Sequence, residues 1–392
     1  MTILAVGGEL DCYRVRPPDD QVNTNSFPPT LGGNQYGTPV GGQGFNYDYG
    51  GGRIVRFGYM YDPRFSRGAI ALGAPGFFLD LAEGSETIWL RMNWSFQPNY
   101  GGYFGNILPD DPGFVLRHGE AALVRFKLKV DPVTKFVLLV AETSGNGVTD
   151  WVSRIDPLIM RSGNSFPTYQ TFDFRVTMGN LIEVYVNGAK ISSYTGPMFT
   201  AFTTCDNIMF YQTSGLFSEV VVSDVSTLGL RLLTQERALP FTGPFGDSWN
   251  EHIGLSVASR NLDPKVIIPA NYWQTNIPDA ILAFSAKRLA STYEPNPQFG
   301  SEIAPFDQTA YSVEAVAVAG AMSHISGAQT VDARFVMTDG LARLAVSPNL
   351  GLTPSFTGNV PRIQYVWNES PFTSAAWSIS EVPGLGYGVQ AI

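Results

Sequence analysis

One stretch constrains the fold more than any other: FDFRVTMGNLIEVYVNGAKISS, from Phe172 to Ser193. Phe172, Phe174 and Val176 alternate with Asp173, Arg175 and Thr177, and Ile182, Val184 and Val186 alternate with Glu183 and Tyr185. Period-2 patterning of this kind marks strands with one apolar and one polar face. A Met-Gly-Asn turn joins the first two strands. Asn187-Gly188 turns the second into a third, as a type I′ hairpin favours. A one-residue slip in pairing would expose all six apolar side chains, so register and burial are predicted together. An antiparallel meander with one buried face implies a sandwich rather than an α/β enzyme.

Composition extends that reading to the whole chain. Its 392 residues are enough for two or more domains. Gly 41 and Pro 27 are high and charged residues are only 15%, which suits short strands and many turns. No segment of about 12 residues carries good helical periodicity. The net charge of −9 argues against binding nucleic acid, which requires a basic face. The nearest thing to one, Arg125, Lys127 and Lys129, reads as the wet face of a single strand. Cys12 and Cys205 are far apart and read as buried small hydrophobes or as one disulfide. The opening MTILAVGGELDC has no basic n-region, and no apolar run reaches the roughly 18 residues of a membrane span. These features predict a soluble protein made in a cytoplasm, without secretion.

Residues 14–53 are rich in Pro, Gly, Asn and Tyr and read as an ordered loop or arm. Strand patterns then recur at Ile54–Met60, Thr87–Phe96, Leu123–Val130, Phe136–Ala141, Asn207–Tyr211 and Glu219–Asp224. About eight to twelve strands over roughly 180 residues fit two packed sheets. QERALPFTGPFGDSWN loses the alternation and carries Pro240, Gly243, Pro244 and Gly246, which predicts a linker. The predicted organisation is therefore a β-sandwich over 1–232, a linker at 233–249 and a second, smaller β-sandwich over 250–392. Near the end, Ser378 and Glu381 have capping-box spacing, predicting a single helical turn before Gly384.

LIEVYVNGAKISSYTGP followed by FSEVVVSDVSTLGLRLLT resembles the last strands of a concanavalin-A-like or laminin-G-like jelly roll. The order of parts is similar to that of virion structural proteins of tailed bacteriophages. The matching parts are the opening MTILAVGGELD, the strand Ser218-Glu219-Val220-Val221-Val222-Ser223-Asp224 with Leu228-Gly229-Leu230-Arg231 after it, and the linker Phe241-Thr242-Gly243. The closing tail matches at Thr373, Ala375-Ala376-Trp377, Glu381-Val382, Leu385 and Gly388-Val389. The linker has Phe241 where the pattern has Trp, and the arm at 14–53 is longer than the pattern. The resemblance implies a non-enzymatic tail, collar or head-attached protein, located in the virion, that forms homo-oligomers and meets other virion proteins. A carbohydrate-binding adhesin for the host surface is the alternative, with polysaccharide degradation a third.

The candidate chemistry is sparse. His118, His252 and His324 lie in different segments, with no GxSxG or HExxH around them. A glycosidase on this type of sandwich requires two convergent carboxylates. Glu183, Glu219 and Asp224 instead sit on separate strand patterns and read as solvent-facing. Laminin-G-like domains often hold Ca²⁺ at one rim, and Asp110, Asp111 and Asp48 are the best loop candidates. Turn-capping is the other reading of those residues, and no other cofactor is implied. Sugar rings stack on exposed aromatics, which makes Tyr100, Tyr103, Tyr47 and Tyr49 the first candidates for a glycan contact; packing at a sandwich rim or a subunit interface is the other reading of them. The arm's Tyr36 and Phe45 are candidates for contacts between chains.

Overall fold

The computed structural model describes residues 2–7, 14–15, 36–37, 43–48, 54–62, 67–71, 77–96, 112–131, 133–134, 136–147, 149–161, 169–198, 201–210, 215–230, 239–240, 250–253, 271–274, 279, 281–285, 312–321, 332–339, 343–351 and 362–392. In chain order the strands are β1 (Ile3–Gly7), β2 (Arg14–Val15), β3 (Tyr36–Gly37), β4 (Gln43–Asp48), β5 (Ile54–Asp62), β6 (Arg67–Ala71), β7 (Phe77–Ser85), β8 (Thr87–Phe96) and β9 (Pro112–His118). They continue with β10 (Ala121–Val130), β11 (Val137–Ser144), β12 (Trp151–Ser153), β13 (Leu158–Arg161), β14 (Tyr169–Thr177), β15 (Leu181–Val186), β16 (Ala189–Thr195), β17 (Cys205–Phe210) and β18 (Gly215–Ser223). The remainder are β19 (Leu239–Pro240), β20 (Asn250–Ile253), β21 (Asn271–Gln274), β22 (Ile281–Ser285), β23 (Val316–Ala321), β24 (Ala333–Thr338), β25 (Leu344–Val346), β26 (Arg362–Trp367) and β27 (Gly386–Ala391). The fold is all-β and antiparallel. Two compact units divide it: Met1–Arg16 with Val55–Tyr61 and Gly68–Leu232, and Pro17–Ile54 with Asp62–Arg67 and Leu233–Ile392.

The first unit is a sandwich. One sheet runs β16-β15-β14-β8-β18-β6-β5, with β1 also on β18; the other runs β12-β11-β10-β9-β17-β7-β2, with β13 on β11. The meander forms in the predicted register, with Phe172 opposite Val186, Phe174 opposite Val184 and Val176 opposite Ile182. Phe172, Phe174, Val176, Ile182 and Val184 are at most 1% exposed. Val186, beside the turn, is half-buried. The turn itself has φ of 50° at Asn187 and 82° at Gly188, both positive as type I′ requires.

The two sheets meet through aromatic rings. Phe114 of β9 stacks on Phe126 of β10 at 4.7 Å between centroids, and Phe174 of β14 packs against them at 4.9 and 4.6 Å. Trp94 of β8 packs edge-on against Phe172 at 5.9 Å. Offset and edge-to-face pairs like these add to the burial energy of the rings. The Trp94 ring lies so close to β9 that a Cβ on Gly113 would sit 2.6 Å from it, so that position admits only glycine without a shift. The unit closes by its ends. β1 pairs with β18 through Ala5 and Val222, Val6 and Val221, and Gly7 and Val220. Thr2 donates its N–H to the Asp224 carboxylate at 2.9 Å and accepts from Ser223 Oγ at 2.9 Å.

In the second unit one sheet runs β19-β22-β27-β24-β25, and β23 pairs with β26. Val318 of β23, Phe335 and Met337 of β24 and Trp367 of β26 share a core with Trp377, Val382 and Leu385. The second core is thus also built between sheets. The closing tail is part of it: Trp377 Nε1 donates to the Trp367 carbonyl at 2.8 Å. The predicted helical turn is a 3-10 turn over Val382–Gly384. Glu381 accepts the Ser378 N–H at 2.7 Å, the glutamate half of a capping box, while Ser378 Oγ turns to Ser380 Oγ instead. Among the described residues no helix is long and apolar enough to cross a membrane.

Candidate functional site

Burying one face of the β8–β14–β15–β16 sheet leaves the other to the intervening residues. Register brings them into two cross-strand rows. Trp89, Arg175, Glu183 and Ser193 form one; Arg91, Asp173, Tyr185 and Lys190 form the next. The β15–β16 pairing shifts between Val184 and Tyr185, which leaves Ile191 as an extra residue on β16, 43% exposed.

Two ionic networks occupy these rows. Arg91 Nη1 reaches both oxygens of Asp173 at 3.1 and 3.0 Å, and Thr227 Oγ1 donates to Asp173 at 2.7 Å. Asp173 is fully buried. Beside it, Glu183 accepts from Arg175 Nη1 at 3.1 Å, Tyr185 OH at 3.0 Å and Lys190 Nζ at 3.1 Å. Burial pushes the Glu183 carboxyl up, but the bonds from Lys190, Tyr185 and Arg175 outweigh it and hold the group below the ordinary carboxylate range. Burial and the adjoining Glu183 raise Tyr185; the bond to Glu183 raises Lys190. The Tyr185 ring lies 5.5 Å from Trp89, and the Arg175 guanidinium sits over Trp89, also at 5.5 Å. The expectation that Glu183 faces solvent is therefore corrected: its side chain is only 9% exposed, because three donors converge on it.

The outer face of the other sheet carries Arg125, Lys127 and Lys129. Arg125 binds Glu142 and lies 4.0 Å above the Trp151 ring. Lys127 Nζ is 3.9 Å from Glu142 and the residue is 8% exposed, so only part of this strand face is wet. Val115 and Met209, on the same face, are 2% and 1% exposed.

His118 lies near Thr204 and Asp206, the residue types of a nucleophilic triad. Thr204 Oγ1 is 3.2 Å and the Asp206 carboxylate 3.9 Å from the same ring nitrogen, Nδ1. A relay requires the nucleophile and the orienting carboxylate on opposite nitrogens. Asp206 is moreover occupied by the Gly119 N–H and by Asn207. His252 sits on β20 opposite Tyr272. Cys205 is free and buried, which pushes its thiol up to about 12.

Of the residues singled out from sequence, Tyr100, Tyr103, Tyr49, Asp110, Asp111, His324 and Cys12 lie outside the described residues. Tyr36 and Phe45 face each other in the β3–β4 pair, and Tyr47 lies on β4; nothing is described of their side chains. Among the described residues no group of three or more His, Cys, Asp or Glu could hold a metal ion. What sequence reasoning missed was the aromatic and charged rows of the first sheet. The signal was present: Tyr185 and Trp89 sit at polar-face positions of their strands, where a core has no use for a ring.

Neither a protein-family model nor a curated protein matches the chain. Among solved structures it is similar to the cellulose-induced protein Cip1, at 11% identity over 49% of this chain and 92% of that one, TM-score 0.28. It is also similar to Xenopus laevis galectin-Ib, at 7% identity over 38% and 99%, TM-score 0.26. Botulinum neurotoxin type C, whose cell entry depends on two ganglioside molecules, is similar at 8% identity over 65% and 61%, TM-score 0.30. Likenesses this distant carry no functional argument.

Proposed function

We propose that this chain is a non-enzymatic structural component of a tailed-phage virion, assembling with copies of itself and with other virion proteins, and that its N-terminal sandwich recognises carbohydrate on the host. One observation carries the reading. The motifs that resemble virion proteins are the ones that close the two units. The opening LAVG strand pairs with VVVS more than two hundred residues later, clasped by Thr2 and Asp224, and the AAW…EV…L tail supplies Trp377, Val382 and Leu385 to the second core. Such residues fix architecture and leave chemistry to other surfaces.

The perturbed carboxyls among the described residues shift opposite to what a general acid needs. Asp131, held by the Thr134 and Val133 N–H groups, Glu183, held by its three donors against burial, and Asp339, held by Arg343, all shift downward. A general acid for glycoside cleavage requires a carboxyl shifted upward. The tests are separate for each half. Peptides of this chain in purified particles are expected; purified particles that lack them overturn the virion half. Host surface polysaccharide incubated with the protein should keep its length, and a progressive fall in length overturns the non-enzymatic half.

A further inference from the structure

The outer face of β14, β15 and β16 has a sign. Both of its carboxylates are withdrawn: Asp173 is fully buried and bound by Arg91 and Thr227, and Glu183 is buried with both oxygens bound by three donors. Its two outer cations stay in water, with the Arg175 and Lys190 side chains 37% and 51% exposed. Each binds Glu183 through a single nitrogen, whereas a guanidinium has five N–H donors and an ammonium three. Tyr185 binds the same carboxylate: it is half-buried, its hydroxyl is tied to Glu183, and its ring packs 5.5 Å from Trp89, so the ring is fixed. In a chain of net charge −9, this is a small cationic surface around a rigid ring.

The arrangement is also costly for a sheet face that only has to be stable. The Nε–H groups of Arg91 and Arg175 are buried with no hydrogen-bond partner among the described residues. Each such group carries a desolvation penalty, which Thr or Val at the same strand position would avoid. A fixed aromatic ring presents a face to the C–H side of a sugar, and flanking cations fit carboxylates spaced along a chain. A dense polyphosphate fits less well, because it has no C–H face to stack on the ring and its charges outnumber the two cations.

We propose that this face binds an acidic glycan, a polysaccharide bearing ring carboxylates, with Tyr185 stacked on a sugar and Arg175 and Lys190 paired with carboxylate. The proposal rests on the carbohydrate half of the proposed function and names its site and ligand class. The test is calorimetric titration of the full chain with polyuronate oligosaccharides (polygalacturonate, polymannuronate and hyaluronan), with dextran of matched length and with inorganic polyphosphate, beside retention on host envelopes. The expected result is binding of at least one polyuronate that weakens with salt, at least tenfold weaker binding of dextran, and at least tenfold loss in Lys190→Glu, Arg175→Gln and Tyr185→Ala. Lys190→Glu changes an exposed side chain, so it decides the matter if Tyr185→Ala unfolds. Polyphosphate bound as tightly as polyuronate reduces the site to ion exchange and overturns the proposal. So does dextran bound equally well, or retention on envelopes with no polyuronate bound; in both cases carbohydrate recognition survives. No retention on envelopes and no glycan bound overturns the carbohydrate reading itself.

Discussion

On its inner side the β14–β15 ladder holds Phe172, Phe174, Val176, Ile182 and Val184, none more than 1% exposed. On its outer side, one residue along, it holds Asp173, Arg175, Glu183 and Tyr185 in paired rows. The two sides share a backbone and a register, yet they are held by different physics. The inner side works by volume, because rings from both sheets interlock at 4.6 to 4.9 Å and any void forfeits contacts on every wall. The outer side works by pairing, because a buried charge is tolerated only with its partner in place. Loss on the inner side should therefore scale with the atoms removed. Loss on the outer side should depend on which charge is left behind.

Four measurements would break or sharpen that contrast, and the largest effect is expected at Phe174. Phe174→Ala opens a void among Phe114, Phe126 and Phe172, and should cost about 3–5 kcal/mol in urea unfolding. A cost below about 1 kcal/mol would mean that the two sheets do not share this core. Asp173→Ala comes next, at about 3 kcal/mol, because it leaves the largely covered Arg91 without its carboxylate. Replacing both, as Arg91→Met with Asp173→Leu, should recover most of that loss; if the double variant is as unstable as the single, the outer side is not governed by pairing. Gly113→Ala should cost about 1–3 kcal/mol by forcing the Trp94 ring aside.

The smallest effect is a pH dependence. Glu183 is held below the ordinary carboxylate range, so its contribution is present above that range and is lost as pH falls through the folded-state value. Lys190, raised above its ordinary value, contributes fully at neutral pH and loses its share only as pH rises through the raised value. Glu183→Gln should therefore flatten the acid side of the stability profile while leaving Tyr185 and Lys190 in place. An unchanged acid limb would assign that titration to other carboxylates.

Much of the inner side was legible from the residues. Alternation named the buried set, and the short Met178-Gly179-Asn180 turn, with Gly179 at φ 79°, holds β14 and β15 in the register that aligns it. The same register already implied Asp173 opposite Tyr185 and Arg175 opposite Glu183. The solvent-facing expectation for Glu183 failed for a different reason: exposure of a polar side chain depends on how many donors fold over it, and alternation does not report that. The glycan and metal candidates at Tyr100, Tyr103, Asp110 and Asp111 were chosen by composition, and they lie outside the described residues.

By itself, then, the sequence determined the all-β class, the meander, its turn and the identity of its core face, because these depend on contacts between neighbours in the chain. Tertiary structure decided the rest. β8 became the other neighbour of β14, which set Arg91 against Asp173 across 82 residues and the Trp89 ring against Tyr185. β18 became the partner of β1, which brought Asp224 to Thr2 across 222 residues. Strand pairings at such separations have no local turn to dictate them. They are selected only when both sheets close over one core, and with them comes the set of charges and rings that the outer face presents.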